Sequence, residues 1–477
     1  MIAQVLNRKF VLEQLERVKT QLLEDSASDR RRGEVQAEFE DLTQMDREEA
    51  LKSVNETLAK EQANSSGQPS YQSPPPERRG EPQPAPIDDF SFFSRDPVVS
   101  NLQSALDQYF EEKAPSEVER IVVRELGDDL RRGEGGDIAV TDRTLLDSEP
   151  QRDSDGRRLF GKFEVTDPGW ISSAVAMGIR KFRGKHKFPT DAPKPVGLES
   201  NARLVIVGDW GSGIPRAQKV ADQMRRYIDG DRRENRAVHV IHLGDVYYSG
   251  WKREYQRRFL EYWPVKSEKS GEIGSWCLNG NHDMYSGGHD YFDFLLAEPR
   301  FRKQGGSSYF GFCNEFWKIL ALDTAWEDEN LVDPQVGWAK ETALGSKAKL
   351  MLLSHHQPFS AYEKAGTETH KKLGFLMGTG GVCAWFWGHE HRCMWFEPYE
   401  NVKFGRCLGH GGVPVYMWHQ PNDPYPKPGE YEYRESINTG LEHWALFGFA
   451  VLDFEGPAVH VQYVDENGHE HESEDIS

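Results

Sequence analysis

Leu204-Val205-Ile206-Val207-Gly208-Asp209-Trp210-Gly211 is the stretch that decides the fold. Four apolar residues, three of them β-branched, run into glycine and then a carboxylate. A short apolar run closed by a turn residue reads as a strand buried on both faces. The design recurs. Val238-His239-Val240-Ile241-His242-Leu243 runs into Gly244-Asp245, Leu320-Ala321-Leu322 into Asp323, and Leu350-Met351-Leu352-Leu353 into Ser354-His355. Between the first two runs, Ala217, Val220, Met224 and Ile228 share one helical face. Strands alternating with helices predict a layered α/β domain, and sites in such folds lie at the carboxyl ends of strands.

Five polar motifs stand at those positions: Gly208-Asp209-Trp210-Gly211, Gly244-Asp245-Val246-Tyr247-Tyr248, Gly280-Asn281-His282-Asp283, Ser354-His355-His356-Gln357-Pro358 and Gly388-His389-Glu390-His391. Glycine lets the chain turn sharply and present the next side chain. Asp, Asn and Tyr offer oxygen donors, and His offers nitrogen. No cysteine takes part, so the mixture suits Fe, Mn or Zn rather than a structural thiolate zinc site. A shared carboxylate, Asp245, could bridge two ions. Such a pair clamps the attacking and leaving oxygens of a phosphoryl displacement. His239 and His242 alternate along a strand and read as structural. The pair His469 and His471 reads as part of a solvated charge run.

In this order the five motifs resemble the calcineurin-like metallophosphoesterase superfamily, over roughly residues 203–455. Two features resemble its purple acid phosphatase branch. Gly211 stands where most relatives place a metal-binding histidine, and Tyr248 follows Asp245 by three residues, where that branch places a tyrosinate on ferric iron. The resemblance implies a layered β-sandwich flanked by helices and two metal ions, Fe(III) with Fe(II), Zn or Mn. One ion would take Asp209, Asp245, Tyr248 and His391. The other would take Asp245, Asn281, His389 and either His355 or His356. Strand register points to His355, and the spacing to Pro358 points to His356. His282 would contact the phosphate or protonate the leaving oxygen; Asp283 would orient His282 or merely cap the loop. A metal-bound hydroxide would be the nucleophile.

The implied activity is hydrolysis of a small phosphomonoester, with a phosphodiester or nucleotide pyrophosphate as the alternative substrate. From another class comes a non-catalytic, metal-containing interaction module. Purple acid phosphatases are typically exported. This chain opens without a signal-like segment and carries about 200 residues before the matching region. Arg392 is read as a surface residue, and the role of His410 is left open.

The remaining sequence sets the frame. The 477 residues exceed one ordinary domain, and 37% apolar content is low for a chain packed throughout. A formal charge of −19 disfavours nucleic acid and anionic membranes as partners. Five cysteines without a C-x-x-C pair indicate no disulfide framework. No apolar run is long enough to span a bilayer, and a cytoplasmic location is expected. The domain layout is read as a helical segment 1–63, a Pro/Ser-rich linker 64–89, a mainly helical extension or cap 90–200, the metallophosphoesterase-type domain 201–460 and an acidic tail 461–477. In the first segment Val11, Leu15, Val18 and Leu22 form a helical stripe, suited to a protein partner, to self-association or to docking on the main domain. Further helices are expected near 102–110 and 118–130.

Overall fold

The computed structural model describes residues 8–28, 44–66, 93–112, 184–229, 235–345, 347–362, 367–378, 381–413, 428–432, 436–439 and 442–477. The chain divides into two compact units, residues 4–184 and 185–477.

In the first unit, helices α1 (Arg8–Ser28), α2 (Gln44–Ser66) and α3 (Pro97–Glu112) share one apolar core. The stripe Val11, Leu15, Val18 and Leu22 is buried against Ala50, Val54 and Leu58 of α2 and Val99, Leu102 and Leu106 of α3. Each fully buried Val or Leu contributes about 1.5–3 kcal/mol, which a lone polar helix would forgo. Asp96 starts α3: its Oδ1 accepts the Val98 and Val99 amides at 2.9 and 3.3 Å, an N-cap arrangement. Helix α2 runs through the boundary expected at 63/64. The expected linker beyond it and the helix near 118–130 lie outside the described residues.

The second unit is two β-sheets face to face. In strand numbering, β1 is Val196–Gly197, β2 Arg203–Val207, β3 Val238–His242, β4 Gly274–Cys277, β5 Phe310–Cys313, β6 Trp317–Leu322, β7 Lys349–Ser354, β8 Val382–Trp387, β9 Cys393–Phe396, β10 Val402–Leu408, β11 Pro428–Glu432, β12 Ser436–Thr439, β13 Glu442–Ala445, β14 Gly448–Glu455, β15 Ala458–Asp465 and β16 Glu470–Ile476. Among the described residues the six-stranded sheet has the order β16-β15-β14-β2-β3-β4, and the eight-stranded sheet β1-β5-β6-β7-β8-β10-β9-β11; β12 and β13 pair separately.

Strands β2, β3 and β4 run parallel, as do β6, β7 and β8, so their carboxyl ends emerge together within each sheet. Side-chain alternation places Leu204 and Ile206 of β2 in the core between the sheets, beside Ile241, Trp276, Met351, Leu353 and Phe386. Helix α4 (Pro215–Ile228) packs against β2 and β14, burying Val220, Met224 and Ile228. The helices Gln335–Ala343 and Thr367–Gly378 bury Trp338, Leu373 and Leu376 in a second core with Leu320, Leu352 and Trp385 of the eight-stranded sheet. The result is the layered α/β domain that the strand runs predict, in the form of the helix-flanked sandwich that the resemblance implies.

Residues 461–477 were expected as an acidic tail. Instead they complete β15 and supply β16, which pairs antiparallel with it. Val459, Val461 and Tyr463 alternate into the core while Glu470 and Glu472 face out, and the two less exposed glutamates are paired, Glu466 with Arg216 and Glu474 with Arg406. The period of two outweighs the charge.

Candidate metal centre

Each donor loop leaves a strand end and turns back at once. Asp209, Asp245, His389 and His391 hold φ values of 54°, 74°, 68° and 54°, left-handed conformations that non-glycine residues adopt at a cost of order 1–3 kcal/mol. Four such residues in one place mark a site whose geometry is imposed by the surrounding fold. Glycines make room for it. A Cβ on Gly280 would lie 2.0 Å from Asp245 Oδ1, and one on Gly388 2.6 Å from Asp209 Oδ2.

The donors gather in two groups that meet at Asp245. In the first, Asp209 Oδ1 lies 3.5 Å from His391 Nε2, and Asp209, Asp245 and His391 fall within ligating reach of one another. The Tyr247 hydroxyl stands 3.1 Å from each of Asp209 Oδ1, Asp245 Oδ2 and His391 Nε2. In the second group, His355 Nε2 lies 2.9 Å from Asn281 Oδ1, 3.2 Å from His389 Nδ1 and 3.4 Å from Asp245 Oδ1. His389 Nδ1 is 3.1 Å from Asn281 Oδ1. Asp245 thus turns Oδ2 to one group and Oδ1 to the other.

The structure brings Tyr247 to the first group, where sequence spacing had pointed to Tyr248. The loop explains the offset. Tyr247 N–H donates to Gly211 O at 3.0 Å, while Glu254 accepts the amides of Tyr248, Ser249 and Trp251 at 2.6, 3.0 and 3.0 Å. The Tyr248 ring lies against the Arg258 guanidinium, 4.8 Å from its centroid.

The geometry also separates the two adjacent histidines. His355 Nδ1 donates to Leu243 O at 3.0 Å, which turns Nε2 into the second group. His356 is close to His355 and His389. Its Nδ1, however, faces Thr324 Oγ1 at 3.1 Å and its Nε2 faces Asp328 Oδ1 at 3.2 Å.

His282 is buried beside the centre, between the rings of Tyr247 and Tyr285 at 4.4 and 4.8 Å. Its backbone N–H donates to Asp245 Oδ1 at 3.0 Å, and its Nδ1 donates to Tyr248 O at 2.6 Å. Asp283 was expected to orient His282 or to cap the loop, and its recorded partners are those of a cap. Oδ2 accepts the Gly280 and Asp245 amides at 2.7 and 2.9 Å, and Oδ1 accepts the Tyr255 hydroxyl. Burial, then the neighbouring Asp245 charge, push the Asp283 carboxyl up to about 8. Burial likewise raises Asp245.

Several residues around the centre have surroundings that the sequence reading did not supply. Asn281 Nδ2 donates to the Tyr285 hydroxyl at 2.6 Å, which fixes which end of the amide faces the histidines. The i,i+4 spacing on a short helix was the available signal. Glu390 is held by Trp387 Nε1 at 2.8 Å and by the Ser360 hydroxyl, away from the flanking histidines. Arg392 is buried rather than exposed and lies 3.9 Å from the Tyr362 ring centroid. His410 is buried, and burial depresses it to about 3.

The donor set fits a pair of ions. With bonds near 2.1 Å, neighbouring donors around one ion lie about 3.0–3.4 Å apart, from octahedral to tetrahedral angles, and the separations in the second group run from 2.9 to 3.4 Å. The donors are oxygen and imidazole nitrogen throughout, so hard or borderline ions are favoured.

The profile of the calcineurin-like phosphoesterase family matches residues 202–393. Tartrate-resistant acid phosphatase type 5 of Homo sapiens is 25% identical over 309 residues, 57% of this chain and 90% of that protein. Its namesake in Mus musculus is 24% identical over 238 residues, 42% of this chain and 70% of that protein. Among solved structures, GAP50, described as the anchor in the inner membrane complex of Plasmodium, aligns with a TM-score of 0.42 at 14% identity, over 58% of this chain and 89% of that one.

Proposed function

We propose that this chain, which carries a calcineurin-like phosphoesterase domain of the purple acid phosphatase-like branch, hydrolyses small phosphomonoesters at a dinuclear metal centre. The observation that carries the reading is the gathering of seven side chains from five strand ends into two groups that share Asp245, whose Oδ2 faces Tyr247 and whose Oδ1 faces His355. Asp209, Asp245, Tyr247 and His391 would hold one ion, and Asp245, Asn281, His355 and His389 the other. When bound, the ions supply Lewis acidity to the phosphoryl group and acidify water. An iron(III) ion in the first position is the reading a phenolate donor favours.

The chain's own residues set the rest. Asp209 and Asp245 are buried by the surrounding fold, and at such a site charge interactions are stronger than in bulk water. His282 is fixed by two hydrogen bonds, with Nδ1 committed to a carbonyl. A proton exchanged with the substrate therefore passes through Nε2, which can donate to the departing alkoxide. Asn281 presents its carbonyl because Tyr285 holds its amide. The monoester preference is drawn from the acid phosphatases that the domain resembles.

The test is turnover of nitrophenyl phosphate against bis(nitrophenyl) phosphate by metal-replete full-length protein and by Asp245→Asn. Monoester turnover that the substitution lowers by a factor of roughly 100 or more supports the reading. Faster diester turnover moves the substrate class. No turnover at full metal occupancy overturns the enzyme reading.

A further inference from the structure

A second cluster of ligating side chains lies at the turn between β15 and β16. Asp465 ends β15, and His469 and His471 alternate in sequence so that both rings come to the same carboxylate. Asp465 is locked by its own turn: Oδ1 accepts the amides of Asn467 and His469 at 2.7 and 2.9 Å. The backbone closes the turn through Asp465 N to His469 O and Gly468 N to Asp465 O, each 3.0 Å. This leaves Oδ2 facing the imidazoles, 2.8 Å from His471 Nε2 and 3.5 Å from His469 Nδ1. The ladder shifts register between Tyr463 and Val464, an irregularity of the kind that re-aims side chains.

The geometry points to a mononuclear site for a divalent transition ion of zinc type, formed by Asp465, His469 and His471. Two imidazole nitrogens and a carboxylate oxygen are a zinc donor set, with one position open to water. Donors bound tetrahedrally at about 2.0–2.1 Å stand about 3.3 Å apart, between the two separations found here. The rings are turned 75° to each other with centroids 6.2 Å apart, so they do not stack, and one ligand atom from each of the three residues lies within 4.8 Å of the others. Exposure grades outward from the carboxylate, at 0%, 15% and 73% for the Asp465, His471 and His469 side chains. An ion therefore enters from solvent across His469. The site uses none of the residues of the dinuclear centre.

Full-length protein, His469→Ala and His471→Gln are equilibrated with zinc chloride, gel-filtered and assayed for zinc per chain by atomic emission. Folding is checked by circular dichroism; His469 is exposed, so its replacement leaves the core intact. Each variant is expected to carry about one zinc fewer than the parent, with nitrophenyl phosphate turnover unchanged. The same deficit is expected in a His389→Ala background, so it is read independently of the dinuclear centre and of whether that centre is catalytic. Equal zinc in the parent and both variants, the result of an ion pair only, overturns the site. So does a deficit that vanishes in the His389→Ala background.

Discussion

The Tyr247 hydroxyl lies 3.1 Å from Asp209 Oδ1, although the two residues leave different strands. It lies equally close to Asp245 and His391. If iron(III) occupies the first group, the phenolate bound to it comes from Tyr247. A broad charge-transfer band in the visible is then expected for the iron-loaded protein. Tyr247→Phe should abolish the band, and Tyr248→Phe should leave it in place. A band lost only in Tyr248→Phe would return the role to the residue that sequence spacing suggested.

Tyr285 acts on the second group through Asn281. Without its hydroxyl the Asn281 amide loses the partner that keeps its carbonyl toward His355 and His389. Tyr285→Phe is expected to weaken metal binding by roughly 10–100-fold, the usual cost of removing a support to a ligand. The melting temperature of the metal-free protein should barely change. Metal titration by calorimetry distinguishes this from a packing role, in which the melting temperature falls and affinity does not.

How much of this was legible beforehand depended on how local the signal was. Asp209, Asp245, Asn281, His389 and His391, which the structure brings together, follow glycine directly or within a strand-end motif, so short-range pattern was enough to single them out. The choice between Tyr247 and Tyr248 did not follow, because it is made by Glu254 drawing the Tyr248, Ser249 and Trp251 amides toward itself. The choice between His355 and His356 likewise rests on remote partners, Leu243 and Thr324. Strands β15 and β16 differ from the expected acidic tail because the alternation of Val459, Val461 and Tyr463, and not the local charge, decides the structure there. The stripe on α1 was legible, but its partners α2 and α3 were not, since a stripe says what is buried and not against what.

Asp283 accepts two buried amides and a phenol hydroxyl, and substitution separates a structural role from a catalytic one. Asp283→Ala leaves those amides unsatisfied and should cost about 2–4 kcal/mol in urea unfolding. Asp283→Asn retains a carbonyl oxygen for the Gly280 and Asp245 amides and should cost clearly less. If the negative charge itself served catalysis, both substitutions would depress turnover alike while only one depressed stability.

His242 gives the fold an acid limit. Its ring is fully buried near Phe259, Trp263 and Trp210. Burial, reinforced by His355, pushes it down to about 3. The Trp210 and Gly244 amides point at its two nitrogens at 3.4 and 3.3 Å; the neutral ring accepts one of them and an imidazolium could accept neither. Between pH 6.5 and 3 the unfolded chain therefore binds a proton that the folded chain refuses. Stability is full above about 6.5 and falls as pH drops through that window. From pH 7 to 4 this one group should remove about 3 kcal/mol. His242→Gln should be less stable at pH 7 yet lose less on acidification. Urea unfolding of chelator-treated protein at the two pH values checks it. Parallel losses in parent and variant would show that His242 does not carry the acid sensitivity.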